Sequence, residues 1–174
     1  MKTLELRHLA PYLSCGIKVK FLDDDTELTG EVKELGWRDD ERENEHLRVK
    51  TKDDSFGLYF FEVTPLLRPL SDLVKEIEVY GKKFIPIIEL ANIAFPRHED
   101  IRIHNNKAGL FMGDSAMYSF WFNETDSSFY TTIHYDEGRI TPNQLQLFEK
   151  LFEWKFDVFG LIKAGLAIDL NTIK

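Results

Sequence analysis

Residues 141–169 leave a folding chain few choices. Leu145, Leu147, Phe148, Leu151, Phe152, Trp154, Phe156, Val158, Phe159, Leu161 and Ile162 crowd into this run, and Ala164-Gly165-Leu166-Ala167-Ile168-Asp169 closes it. So much ring and aliphatic surface has to be buried. Leu145, Phe148, Phe152, Phe156 and Phe159 recur at spacings of 3, 4, 4 and 3, which makes one helical stripe. Thr141 and Gln144 match a capping box, and Pro142 suits the first helical position. Asp157 is placed to break the helix and cap a second short one, and Gly165 to end it.

The helix needs a surface to cover. Four strand-like runs precede it: residues 101–104, 108–112, 118–122 and 129–135, separated by turn-rich linkers. Tyr118-Ser119-Phe120-Trp121-Phe122 holds adjacent rings that must be covered on both faces, and the terminal helix is the expected cover for one. Before them, residues 69–74 read as a helical turn. Tyr80-Gly81-Lys82 reads as a hairpin tip, and residues 87–93 as a short helix ended before Pro96.

The N-terminal part is organised differently. Residues 4–13 make a short amphipathic turn limited by Pro11. Ile17, Val19 and Phe21 then alternate inward along a strand, and Asp23-Asp24-Asp25 turn the chain. Residues 28–35 form a second strand whose alternation slips between Val32 and Leu35, the mark of a bulge. A charged loop at 38–45 leads to strands at 46–50 and 56–63, and residues 64–67 form a turn that plugs one end. The fold class is α+β. An SH3-like small barrel or antiparallel meander spans 1–67. An antiparallel sheet packed by the C-terminal amphipathic helix spans 68–174, and the two could form one continuous domain.

Charge and cysteine usage narrow the function. The net charge is −8, with 10 basic and 15 acidic residues in 1–67 and 12 and 15 in 68–174. Neither part is basic, so duplex DNA is not an expected partner, and a protein is. Cys15 is the sole cysteine, which excludes an intrachain disulfide and a Cys-rich metal site. The N-terminus lacks the apolar core of a signal peptide and no long apolar run occurs, so a cytoplasmic protein is expected.

No phosphate loop, His-Glu-x-x-His or Gly-x-Ser-x-Gly sequence is present, so no catalytic residue and no cofactor are expected. Three constellations remain. His104 and His134 would share one sheet face if their strands paired, and that face would suit a metal or small anion. Both also read as solvent-facing strand histidines. Cys15, beside Ser14, reads as a nucleophile if His8 or His46 is near, and otherwise as a buried small hydrophobe. Trp37, Tyr59 and Phe61 could form an aromatic protein-binding patch on the small sheet, or close its core.

Three stretches carry a resemblance. They are residues 4–13 (LELRHLAPYL), residues 67–73 (LRPLSDL) and residues 151–162 (LFEWKFDVFGLI), the last running on into 165–169. Together they resemble a group of uncharacterised proteins from Bacteroides-type gut bacteria and their phages or prophages. The resemblance implies a setting, a small intracellular protein of mobile-element origin, and no activity. The expected function is therefore a non-enzymatic, phage-associated accessory or regulatory factor that binds a protein. The alternatives are a small metal-dependent enzyme using His104 and His134, and a single-stranded nucleic-acid binder acting through the N-terminal sheet.

Overall fold

A computed structural model describes residues 3–37, 45–96, 100–104, 107–112, 116–133 and 138–173. The chain is mixed α+β with mostly antiparallel sheets. It divides into two compact units, one of Met1–Pro69 with Phe152–Lys174 and the other of Leu70–Leu151. The sequence-based division placed all of 68–174 in one lobe. In the structure, residues 152–174 cluster with the first unit.

The first unit opens with helix α1 (Leu6–Leu9), continued by a 3-10 turn over Ala10–Cys15. Strands β1 (Lys18–Asp23), β2 (Thr26–Trp37), β3 (Glu45–Lys50) and β4 (Ser55–Tyr59) follow as an antiparallel meander. Asp24 and Asp25, at φ 43° and 68°, form the two-residue turn between β1 and β2. Positive φ at both positions gives the turn the twist of the flanking strands, and Asp tolerates that region better than most residues. The β2–β3 register shifts between Val32 and Glu34, so the slip in alternation is a bulge.

Residues 64–67 are not the expected plug. They form β5 (Thr64–Leu67), which pairs with β1, and the turn lies earlier, as a 3-10 turn over Phe60–Glu62. The apolar run Pro65-Leu66-Leu67 is buried in the sheet, which outweighs its turn-like Thr-Pro start. The core beneath the sheet contains Leu9, Tyr12, Ile17, Val19, Phe21, Val32, Leu47, Val49, Phe60 and Leu67. Among the described residues no ladder joins β4 to β5.

The second unit begins with a 3-10 turn over Leu70–Val74. The hairpin of β6 (Ile77–Val79) and β7 (Lys82–Phe84) follows, and then α2 (Pro86–Ala94). Its main sheet comprises β8 (Asp100–His104), β9 (Lys107–Met112), β10 (Ala116–Asn123), β11 (Ser128–Ile133) and β12 (Arg139–Ile140), in the order β12-β11-β10-β9-β8. Ala108, Leu110, Phe120 and Phe129 are buried on one face. Phe95, just after α2, meets Phe120 edge to face at 6.0 Å. Phe148 of α3 (Gln144–Glu153) meets Phe122 at 6.1 Å and Phe129 at 5.8 Å, so the helix does cover one face of the aromatic strand. On the other face Trp121 stacks on Tyr130 at 5.8 Å, and Lys107 Nζ lies 3.9 Å from the indole centroid. On that face Lys107, Trp121 and Tyr130 are half-buried.

The capping box does not form. The helix begins at Gln144, whose side chain turns to β11 instead: Oε1 accepts from Phe129 N at 2.9 Å, and Nε2 donates to Phe129 O at 2.7 Å and Thr141 O at 2.8 Å. One amide thus serves both polar backbone groups of a strand residue. Gln144→Ala leaves the Phe129 amide without its acceptor, while the Phe129 carbonyl keeps Thr141 N at 2.9 Å, and is expected to cost about 1–3 kcal/mol, measured by chemical denaturation.

The stripe also ends early. The helix stops at Glu153, Lys155 takes φ 63°, and among the described residues no second α-helix follows, only a 3-10 turn over Leu170–Thr172. Backbone pairing to β5's continuation wins over the 3.6-residue period: Arg68 N donates to Lys155 O at 2.7 Å, and Asp157 N to Arg68 O at 2.8 Å. Asp157 does cap a turn. Its buried carboxylate accepts from Leu161 N and Ile162 N, each at 2.8 Å. Strand β13 (Ile168–Asp169) then lies parallel to β5, outside it in the sheet. Leu145, first in the stripe, is exposed, and Phe156 is fully buried.

Candidate functional site

The first unit presents a groove of about 310 Å³ lined by His46, Arg48, Gly57, Leu58 and Tyr59. Its geometry follows from the register. Leu47 and Val49 point into the core, so His46 and Arg48 between and beside them take the other face. Gly36, His46 and Tyr59 lie across the strands as one row, and Glu34, Arg48 and Gly57 as the next. Gly57 contributes no side chain, and a Cβ there would meet nothing within 4 Å. The groove is the space that this glycine leaves.

Beside the groove the Tyr59 and Phe61 rings stack at 5.4 Å with planes 5° apart. Phe60 turns inward and is buried, and Phe61 is left 79% exposed. The core-closing role therefore falls to Phe60, a residue the sequence reading did not single out. Glu62 holds the turn by accepting the Tyr59 amide at 2.6 Å. Trp37 falls in a different register row, opposite Glu45, and its description extends only to the backbone.

Polar groups in the groove are lightly committed. Arg48 Nε stands 3.6 Å from Glu34 Oε2 with both side chains more than half exposed, a pairing that contributes little. His46 Nδ1 is buried without a hydrogen-bond partner, and the ring packs over Gly36. A second concavity of about 380 Å³ is lined by Thr3, Glu5, Arg7, His8, Phe159, Leu161, Ala164 and Leu166. There the polar side chains are spent on each other, with Arg7 against Glu5 at 2.8 Å and His8 Nδ1 accepting the Glu5 amide at 3.1 Å.

Strand β4 is the edge of its sheet among the described residues. Thr51 N donates to Asp54 O at 2.9 Å, which makes the pair that closes the β3–β4 hairpin a hydrogen-bonded one. Hydrogen-bonded and non-bonded pairs alternate along an antiparallel ladder. Lys50–Ser55, Arg48–Gly57 and His46–Tyr59 are then non-bonded pairs. The Tyr59 amide agrees, since it is satisfied by Glu62 rather than β3. Backbone groups of Ser55 and Gly57, and the Tyr59 carbonyl, consequently face the open side. Natural edges are usually blunted by Lys, Pro or inward charges. Ser55-Phe56-Gly57-Leu58-Tyr59 has none.

The other constellations are not assembled in this way. β9 and β10 lie between β8, which ends at His104, and β11, so β8 and β11 do not pair. Three strand spacings amount to roughly 14 Å. His134 itself lies outside the described residues, and His104 is described only through its backbone, at the end of β8 opposite Lys107. Among the described residues no group of three or more His, Cys, Asp or Glu is placed to hold a metal.

Cys15 is half-buried, and its Sγ lies 3.6 Å from Ser14 Oγ. Its carbonyl accepts from Lys155 Nζ, whose ammonium is pushed below its ordinary pKa, first by burial. No described helix is long and apolar enough to cross a membrane. Comparison with protein-family models, with curated proteins and with solved structures finds no match for this chain.

Proposed function

We propose that the first unit is a protein-binding module that takes an extended peptide segment of its partner along β4, with Tyr59 and Phe61 as the anchoring surface. One observation carries the reading: an uncharged edge strand with outward backbone groups runs directly into a solvent-facing ring stack. Main-chain bonding along an edge supplies affinity in strand addition, and side-chain pockets supply choice. An exposed Phe held by a stacked Tyr and a 3-10 turn loses little freedom on binding.

The strand succession supports an SH3-like reading of this unit. β1 to β4 form a meander, a 3-10 turn follows β4, and β5 returns beside β1. The phage or prophage setting rests on the resemblance of residues 4–13, 67–73 and 151–162, and it makes the partner an intracellular protein bound by an accessory factor.

Selection of linear peptides from a random display library on the purified chain tests the proposal. Binders are expected whose affinity falls about tenfold or more in Phe61→Ser, the range of an aromatic anchor. The same substitution is expected to change stability by no more than about 0.5 kcal/mol, because so much of the ring is in solvent. Recovery of no peptide, or of peptides indifferent to Phe61→Ser, contradicts the proposal. So does salt-dependent retention of single-stranded oligonucleotides that Phe61→Ser abolishes, which assigns the surface to nucleic acid.

A further inference from the structure

We infer that the groove selects an acidic side chain in the bound peptide, placed opposite Gly57, and an apolar one two residues away beside Tyr59. The inference rests on the peptide reading above and names what such a peptide must contain. A strand added along β4 would continue the two register rows. The row Glu34–Arg48–Gly57 would then gain a peptide residue beyond Gly57, on the same face as Arg48.

Arg48–Gly57 is a non-bonded pair, and an antiparallel newcomer opposite Gly57 makes a bonded one. The two steps span about 10 Å between the Cα atoms of Arg48 and the new residue. An extended Arg side chain and a carboxylate side chain close that span together, and Gly57 puts nothing between them. Any other residue at position 57 would stand in the way.

The charge of the site fits. Among the described residues Arg48 is paired with Glu34 alone, at 3.6 Å through Nε, and a guanidinium has donors to spare for a second carboxylate. His46, in the adjacent row, also lines the groove, and its buried Nδ1 has no hydrogen-bond partner among the described residues. The neighbouring row ends in Tyr59 with Phe61 stacked upon it, so the peptide residue two positions from the acid meets rings. Side chains of a strand return to one face every second residue, which fixes the spacing. For the antiparallel strand the resulting pattern is apolar–x–acid from N- to C-terminus, since β4 runs from Gly57 to Tyr59.

The peptides selected as above supply the probe. A peptide carrying Glu at the inferred position and its Gln counterpart are titrated against the native chain, Arg48→Gln and Gly57→Thr. The native chain is expected to prefer Glu about tenfold or more, as a charge-assisted hydrogen bond is worth. Arg48→Gln is expected to bind both equally. Gly57→Thr, a good strand former at a position with free space, is expected to keep the apolar preference and lose the acidic one. Selected peptides that depend on Phe61 and show no acidic preference overturn this inference and leave the peptide reading standing. Selection of no peptide, or of none that needs Phe61, overturns both.

Discussion

Tyr12→Ala is expected to cost the chain about 3–5 kcal/mol, enough to lower its melting temperature by roughly 10 °C. Tyr12 is fully buried and fastens the N-terminal segment to the C-terminal one. Its ring meets Phe152 edge to face at 5.0 Å, and its hydroxyl donates to Phe156 O at 2.6 Å while accepting from Val158 N at 3.4 Å. Truncation opens a cavity and removes the shorter of two hydrogen bonds to the Phe156 carbonyl, which keeps Val158 N at 3.0 Å. Tyr12→Phe isolates the second loss and is expected to cost only about 1–2 kcal/mol.

The same residue sets an alkaline limit. Burial, ahead of the nearby Asp157 charge, pushes the phenol well above its ordinary value of 10.0, against the opposing hydrogen bond from Val158. The folded state holds that proton after the unfolded state has released it. Its contribution is therefore full below pH 10.0 and is lost progressively as pH rises from there towards the higher folded value. Denaturation between neutral pH and pH 11 is expected to show a steeper alkaline loss for the native chain than for Tyr12→Phe.

Phe120→Ala is the second large effect, again about 3–5 kcal/mol. Phe120 is fully buried in β10, stacked on Phe129 at 5.4 Å and covered by Phe95. Removing it empties the middle of the second unit's sheet, beneath Phe95 and beside Phe129. Phe120→Leu keeps most of the volume and is expected to cost about 1 kcal/mol. Equal losses for both substitutions would mean that the ring is not the packing unit described.

How far the sequence foretold this structure depended on the range of the interactions. The inward Ile17, Val19 and Phe21 and the bulge after Val32 follow from alternation within one strand, a local property. The fate of residues 154–169 does not. A perfect helical stripe through Phe156 and Phe159 yielded to backbone bonds with Arg68, a residue far away in the chain. Gln144 matched a capping box by type and spacing, yet its amide had better partners on β11. At the site, Tyr59 and Phe61 stood out as aromatic residues, but whether they faced the core or the solvent depended on which of three consecutive residues turned inward. Gly57 carried no signal at all. Its meaning comes from lying between Arg48 and an open edge, which only the strand order reveals.

Amide hydrogen exchange along β4, with and without a peptide selected on the chain, bears most directly on the proposed mode of binding. Added as a strand, the peptide is expected to slow exchange of the outward Gly57 amide strongly and that of Ser55 less. The Leu58 amide, already turned to β3, is expected to change little. Binding that leaves the Gly57 amide exchanging as fast as before, or that protects amides elsewhere in the chain instead, would contradict strand addition at this edge.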